Sequence, residues 1–181
     1  MSTKPKWPYK AAGLNEFYGN PTGANGKLSQ AWRDANIVMM PLPYEMRLAW
    51  DLSERVKRVA VHRKVAPSLT KILASIWNEA RQRIKARAGY DKTTEEYDRL
   101  TYSLLEGLGL TLYGGGFNYR VKRGGSTLST HSWGCAIDLD PARNGMGDTT
   151  PAIPLWAVDV FKDEGWIWGG DWKGRNCDGM H

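Results

Sequence analysis

The sequence lacks the features that mark several large classes of protein. It contains no apolar run near the roughly 20 residues that a membrane-spanning helix needs. Residues 1–8 include no apolar segment of the kind found in secretory signal peptides. Its two cysteines, Cys135 and Cys177, are too few for a disulfide framework, and no repeat or low-complexity segment is present. We therefore expect one globular domain over residues 1–181, without membrane insertion.

The chain is basic, with 25 Lys and Arg against 19 Asp and Glu, a net charge of +6 and a pI of about 9.3. This excess suits an anionic partner such as a cell-wall polymer, a membrane surface or nucleic acid, and a solvated surface is the plainer explanation. The basic residues between Arg81 and Arg87 have the spacing of one exposed helix face. We therefore expect no nucleic-acid partner.

The first half of the chain mixes turn-forming and apolar segments. Residues 1–35 are rich in Gly, Pro and Asn, which predicts turns and an irregular N-terminal arm. Residues 37–40 are predicted to form a strand that ends at Pro41 and Pro43. Residues 44–66 alternate like strands but also fit a helix, and both alternatives stay open.

Two helices are predicted in the middle of the chain. The first begins at Pro67 with apolar residues at helical spacing, and Gly89 is a plausible C-terminal cap. The second begins near Thr93, whose spacing from Glu96 is that of a capping box. Gly107 is expected to lie at its end.

Shorter elements are predicted further along. Residues 114–116 are three glycines and predict a turn. Residues 136–140 alternate like a half-buried strand, a short helix follows Pro151, and residues 166–168 are predicted to form another strand.

Two stretches near the C-terminal end contain residue types that bind metal ions. His131 lies seven residues before Asp138, and Asp178 lies three residues before His181. Two imidazoles and a carboxylate can bind zinc with one position open, while a second carboxylate serves as a base. From spacing alone, a surface or core role stays open for both histidines, and His62 is expected to have such an ordinary role.

The cysteines adjoin these stretches and are alternative ligands. Cys135 lies among small and apolar residues, which favours a buried filler over a metal ligand.

The flanking residues form an extended motif. Its members are Ser129, His131, Gly134, Ala136 and Asp138, then the run from Gly165 to Trp172, then Asp178, Met180 and His181. The motif resembles the M15 family of zinc peptidases, which includes D-Ala-D-Ala carboxypeptidases and phage L-alanyl-D-glutamate endolysins. The resemblance covers about residues 112–181. It implies an α+β fold of the hedgehog and D-Ala-D-Ala-peptidase type, in which a small antiparallel sheet carries the zinc site and helices flank it.

The resemblance also implies roles for individual residues. One Zn²⁺ would be held by His131, Asp138 and His181. Asp178 matches the family's general base and could pass a proton from the attacking water to the leaving amine. Arg120 matches the arginine that stabilises the oxyanion or holds a substrate carboxylate.

Other roles in the site have stated alternatives. Arg123 is the rival of Arg120, and a solvent-facing structural role is open for both arginines. Ser129 matches a serine that braces the site by hydrogen bonding next to the substrate. An ordinary turn residue is the alternative for Ser129.

The aromatic and small residues around the motif suggest a groove. Trp133, Trp168 and Trp172 are expected to line the substrate groove, with core packing as the alternative. Asp171 is a candidate for orienting a ligand histidine. Gly134 is expected to be small because the metal loop passes close to other backbone.

The function implied is that of a zinc metallopeptidase acting on peptidoglycan stem peptides, as an L-alanyl-D-glutamate endopeptidase or a D-Ala-D-Ala carboxypeptidase. The alternative is a non-catalytic zinc-containing domain of the same fold that binds the wall or a partner. We expect a monomer with the anionic cell wall as partner. A phage endolysin made in the host cytoplasm, and released to the wall or carried in the virion, fits best. Family members usually continue past the last histidine, whereas this sequence ends at His181. We therefore expect the terminal carboxylate of His181 to lie beside the metal.

Overall fold

The computed structural model describes residues 6–9, 11–88 and 92–181 and has an α+β fold. Its helices and strands are α1 (Ala11–Tyr18), α2 (Gln30–Asn36), β1 (Ile37–Leu48), β2 (Asp51–His62), α3 (Ala66–Ala88), α4 (Thr94–Gly107), β3 (Leu112–Gly115), β4 (Asp138–Leu139) and α5 (Leu155–Asp163). Short 3₁₀ helices are formed by Thr130–Trp133, Gly169–Asp171 and Gly174–Asn176. Within the described ranges, no helix has the length and hydrophobicity needed to cross a bilayer.

The strands form one mixed sheet in the order β2-β1-β3-β4. β1 and β2 form an antiparallel hairpin, β3 and β4 are also antiparallel, and β1 pairs in parallel with β3. The expected antiparallel sheet is therefore wrong at this pairing. Between β1 and β3 the chain passes through β2, α3 and α4, and such a long crossover permits parallel pairing.

The core is built on α3. Its apolar stripe is fully buried and comprises Leu69, Ile72, Leu73, Ile76 and Ala80. The stripe belongs to one cluster with Met46, Val59 and Val61 from the hairpin, and with Leu105 from α4. The predicted helical periodicity is confirmed here, because one face of the helix meets the sheet while the charged side chains face outward.

The predicted capping box of α4 is confirmed. The Thr93 side chain accepts a hydrogen bond from the Glu96 N–H, and the Glu96 carboxylate accepts from the Thr93 N–H at 2.8 Å. The helix ends at Gly107 as expected. The predicted cap at Gly89 lies outside the described residues.

Two short helices, α1 and α2, occupy part of the predicted irregular arm. With eight and seven residues they are too short to be stable alone. Burial of Leu14, Tyr18 and Trp32 holds them against the core. The Trp32 Nε1–H donates to the Tyr18 carbonyl at 3.0 Å, which joins the two helices.

β1 continues through Pro41 and Pro43, so its predicted end was wrong. The pairing with β2 has an irregularity between Pro41 and Met46, and pairing with β3 begins only at Arg47. The prolines therefore need not donate backbone hydrogen bonds to β3. The open alternative for residues 44–66 is resolved mainly as strand.

Three later predictions also need correction. Gly114 and Gly115 belong to β3 instead of a turn, the strand expected over 136–140 is only Asp138–Leu139, and residues 166–168 are not a strand. The Trp166 indole N–H donates to the Ser68 hydroxyl at 3.0 Å, so this segment is anchored by side chains instead of a strand ladder. The helix after Pro151 is confirmed as α5.

Candidate metal centre

A single 3₁₀ turn places His131. Ser129 caps the turn, since its hydroxyl accepts a hydrogen bond from the His131 N–H at 3.4 Å. The His131 side chain is 3% exposed, and its Nδ1 lies 2.6 Å from the Gly116 carbonyl oxygen. A carbonyl can only accept, so Nδ1 carries the proton and the lone pair of Nε2 points into the site.

Gly134 ends this turn where the loop meets the sheet. Its φ is +66°, and a Cβ there would lie 2.8 Å from the His62 amide nitrogen. The His62 N–H also donates to the Gly134 carbonyl at 2.8 Å. The predicted close approach of the metal loop to neighbouring backbone is therefore confirmed.

Asp138 and His181 are brought together by β4. Asp138 opens this strand opposite Gly115, and the Leu139 N–H donates to the Met180 carbonyl at 2.9 Å. The Gly169 N–H donates to the main-chain oxygen of His181 at 2.7 Å. The end of the chain is thus fixed on both sides of the ligand position.

The three predicted ligands converge. His131 Nε2 lies 3.2 Å from Asp138 Oδ1 and 3.2 Å from His181 Nδ1, and the latter two atoms are 3.1 Å apart. Tetrahedral zinc with bonds of about 2.0–2.1 Å separates its ligand atoms by about 3.3 Å. The triangle formed by these three atoms therefore fits one metal ion bound to all three residues. Among the described residues, these three form the candidate metal-binding group.

Neither cysteine belongs to this cluster. The thiol of Cys135 donates to the Thr130 carbonyl at 3.4 Å, and that of Cys177 donates to the Gly170 carbonyl at 3.6 Å. Burial raises the pKa of Cys135 to about 12, which disfavours the thiolate that metal binding requires.

The carboxyl of Asp138 is held ionised. Burial raises its pKa, but the two imidazoles that contact its Oδ1 outweigh burial and hold the pKa well below its usual range. An anionic ligand between two imidazoles suits a divalent cation.

Asp178 has a different environment. Its Oδ1 is buried and has no hydrogen-bond partner among the described residues. Burial raises its pKa, partly offset by His181, and the neighbouring Asp138 raises it further. Gly169 permits this placement, because a Cβ there would lie 2.4 Å from the Asp178 carbonyl oxygen. An unpartnered carboxyl beside a metal cluster can exchange protons with a bound reactant.

The structure brings both candidate arginines to the site. Arg120 and Arg123 are exposed and line the same cavity as the cluster. The main chain of Arg120 is fixed by Ser132, whose hydroxyl accepts from its N–H at 3.0 Å and donates to its carbonyl at 2.9 Å. The charge of Arg123 lowers the pKa of Asp178. The choice between them stays a prediction.

The tryptophans differ in position. Trp172 is 40% exposed, lines the cavity and has its ring centre 5.4 Å from that of His181. Trp168 also lines the cavity and donates to the Gly179 carbonyl at 2.8 Å. Trp133 is 2% exposed and donates to the Asn15 side chain and the Gly19 carbonyl, each at 3.1 Å. The expected groove position of Trp133 is thus wrong, and it packs the arm onto the core.

The histidine-orienting role considered for Asp171 is also wrong. Asp171 pairs with Lys162 at 2.7 Å. The groups that contact the outer nitrogens of the ligand histidines are the Gly116 carbonyl and the Thr130 hydroxyl, the latter 3.1 Å from His181 Nε2. Sequence reasoning missed both, because a carbonyl has no residue signature and Thr130 resembles any turn residue.

The cavity has a volume of about 1400 Å³. It is lined by the three candidate ligands, Asp178, Ser129, both arginines and Trp172. Pockets for small molecules usually occupy about 300–1000 Å³, so an extended ligand suits this one.

A comparison with protein families finds a match for the C-terminal part of the chain, which carries the candidate site. Residues 123–181 match the family described as D-alanyl-D-alanine carboxypeptidase, which is about a third of the chain. The match includes the three cluster residues and Asp178, begins at Arg123 and leaves Arg120 outside. The predicted resemblance to M15-type peptidases is thereby confirmed for this part. No curated protein and no solved structure matches the chain.

Proposed function

We propose that this chain, an M15-like peptidase by its C-terminal third, is a zinc peptidase that hydrolyses peptidoglycan stem peptides. One observation carries the proposal: three ligand atoms converge within 3.2 Å of one another in the cavity that also contains the unpartnered carboxyl of Asp178. The mixed sheet flanked by helices is compatible with the proposed fold of the hedgehog and D-Ala-D-Ala-peptidase type.

The proposed mechanism divides the work among a few side chains. His131, Asp138 and His181 would hold one Zn²⁺, which would polarise the scissile carbonyl and lower the pKa of water. The Asp178 carboxylate accepts a proton from the attacking water while the water oxygen forms its bond to the carbonyl carbon. Asp178 then returns the proton to the amide nitrogen as the C–N bond breaks, so the products are a carboxylic acid and an amine.

Arg120 is the proposed partner of the oxyanion or of a substrate carboxylate, and Arg123 is the alternative. An exposed guanidinium can reorient to form two parallel hydrogen bonds with an anionic group. Trp172 would form one wall of the substrate site, and Ser129 would support the turn that carries His131.

Substitution of Asp178 tests the proposal. Asp178→Asn removes the base but leaves the three ligands, so we expect metal content to stay at one zinc per chain. Release of new amino termini or free D-Ala from purified peptidoglycan should fall by roughly 10²–10⁴-fold. Asp171→Asn is the matched control, because Asp171 also lines the cavity but pairs with Lys162.

The wild-type result separates the proposal from its alternative. If the wild-type protein holds one zinc ion and releases neither product, the chain is a non-catalytic wall- or partner-binding domain. Mass spectrometry of a productive digest identifies the bond cut. An L-alanyl-D-glutamate endopeptidase frees the stem peptide, whereas a carboxypeptidase removes only the terminal D-Ala.

The proposed setting is a phage endolysin acting on the anionic wall. The net charge of +6 favours association with such a polymer. Protein added to permeabilised bacteria should lower their turbidity, and Asp178→Asn protein should not. Equal clearing by both proteins would contradict a lytic role that depends on peptidase activity.

A further inference from the structure

We infer that Thr130 is a positioning residue for His181 and that its hydroxyl accepts the Nε2–H of the ring when Nδ1 binds the metal. The inference rests on the proposed metal centre and names a residue outside its ligand set. Thr130 precedes the ligand His131 in sequence and lies in the same 3₁₀ turn.

The two ring nitrogens of His181 contact different groups. Nδ1 faces the cluster, 3.1 Å from Asp138 Oδ1 and 3.2 Å from His131 Nε2. Nε2 faces away from it, 3.1 Å from Thr130 Oγ1. The Thr130 hydroxyl can donate or accept, so it does not select a tautomer by itself. When Nδ1 gives its lone pair to a metal ion, the neutral ring carries its proton on Nε2, and the hydroxyl is placed to accept it.

Thr130 is itself held in place. Ser129 caps its turn, and the Thr130 carbonyl accepts from the Cys135 thiol at 3.4 Å. The hydroxyl therefore projects from a turn fixed at both ends. One short turn supplies the ligand His131 and also the partner of a ligand that is 51 residues away from Thr130 in sequence.

The two histidines use opposite nitrogens and different kinds of partner. His131 directs Nε2 to the cluster and donates Nδ1–H to a backbone carbonyl that no side-chain substitution removes. His181 depends on a side-chain hydroxyl, which substitution can delete. Partners behind metal ligands typically contribute 10–100-fold in metal affinity.

Two substitutions at this position isolate the hydroxyl. Thr130→Val keeps the branched shape and removes the oxygen, whereas Thr130→Ser keeps the oxygen and removes the methyl group. Zinc affinity would be measured by competition with a chelator. The Nε2–H hydrogen bond of His181 would be read from the ring ¹H and ¹⁵N shifts of the zinc-loaded protein, with the ring signals of the chain's three histidines assigned.

We expect zinc affinity of Thr130→Val to fall about tenfold or more, and the Nε2–H resonance of its zinc-loaded form to lose the downfield shift of a hydrogen-bonded proton. Thr130→Ser should remain close to wild type in both measurements. Wild-type affinity and a wild-type Nε2–H resonance in Thr130→Val would overturn the inference. Equal losses in both variants would also overturn it, because the hydroxyl would then not be the determinant.

These outcomes are separate from a failure of the proposed function. A wild-type chain that binds zinc but releases no product contradicts the peptidase proposal and leaves the role of Thr130 standing. Unchanged zinc affinity and Nε2–H resonance in Thr130→Val, with normal peptide hydrolysis in wild type, contradict only the role of Thr130.

Discussion

The two halves of the molecule are built in different ways. Up to the end of α4, the chain forms long regular elements: β1 and β2 have 12 residues each and α3 has 23. From residue 112 onward, β3 and β4 have four and two residues, and most of the remaining chain lies in loops and single turns. The first half supplies most of the core, and the second half carries the candidate metal ligands.

Individual polar contacts replace regular structure in the second half. Asn144 is fully buried: its amide donates to the Asp140 carbonyl at 2.8 Å, and its Oδ1 accepts from the Ala152 and Ile153 N–H groups. Its main-chain carbonyl accepts from the Met180 N–H at 3.0 Å. Loops can thus hold the candidate site residues in place because a scaffold and satisfied hydrogen bonds support them.

The largest effect should come from removing function while keeping the scaffold. Asp138→Asn replaces the anionic ligand, and we expect zinc affinity to fall roughly a hundredfold or more. Four-ligand structural sites bind with about 10–16 kcal/mol, or roughly 3 kcal/mol for each ligand. Chelator competition measures the loss.

Asp140→Asn is the control for this substitution. Asp140 is buried and pairs with Arg143 at 2.5 Å, outside the metal cluster. The control should lose stability but keep its zinc affinity. Equal loss of zinc in both variants would mean that the loop as a whole, instead of the Asp138 carboxylate, determines binding.

The opposite experiment damages the scaffold and spares the site. Ile72→Ala in the fully buried stripe of α3 should lower the free energy of unfolding by about 2–5 kcal/mol, because it leaves a cavity. Below its melting temperature, zinc affinity should not change. Gln82→Ala on the exposed face of the same helix should stay within about 0.5 kcal/mol of wild type. A parallel loss of zinc affinity in Ile72→Ala would contradict the separation of the halves.

His62 gives the scaffold a pH dependence. It is fully buried, with Nε2 3.1 Å from the Tyr18 carbonyl, and burial lowers its pKa from 6.5 to about 4. The neutral ring is favoured in the folded state. The neutral ring therefore makes its full contribution to the free energy of unfolding above about pH 6.5. As the pH falls toward 4, the protein loses up to about 3 kcal/mol of this stability.

Denaturant titrations in chelator across this pH window measure the effect. His62→Gln should flatten the dependence relative to wild type, even if it lowers stability at pH 7. His62→Gln changes only this ring, so the difference in slope between the two proteins isolates His62. An unchanged slope would contradict the assignment.

Sequence reasoning succeeded where one residue type in a fixed spacing is sufficient. The apolar period of α3 and the capping box of Thr93 and Glu96 are such patterns. Each pattern needs particular residue types at a fixed local spacing, so the sequence alone shows it. The convergence of His131, Asp138 and His181 was expected from the family resemblance, because their spacing alone left ordinary roles open.

The remaining features depend on contacts between distant segments. Trp133 belongs to the motif in sequence, but its side chain faces the N-terminal arm. Its indole N–H donates to the Asn15 side chain and to the Gly19 carbonyl. The short helices α1 and α2 have weak local signals and form through burial against the core. The parallel pairing of β1 with β3 is set by tertiary packing, which no single segment of sequence specifies.

The smallest effect tests the contact between the two halves, at Gly134. Gly134→Ala adds a Cβ 2.8 Å from the His62 amide nitrogen at a φ of +66°, so strain and a backbone clash combine. We expect a loss of about 2–3 kcal/mol by denaturant titration. Gly124→Ala has a similar φ of +70° with nothing within 4 Å, and should cost about 1 kcal/mol. Because the backbone strain is common to both, the difference measures how tightly the metal loop is packed on the sheet. Equal losses would show that the loop moves away from β2 without penalty, and the close approach would then not hold the two halves together.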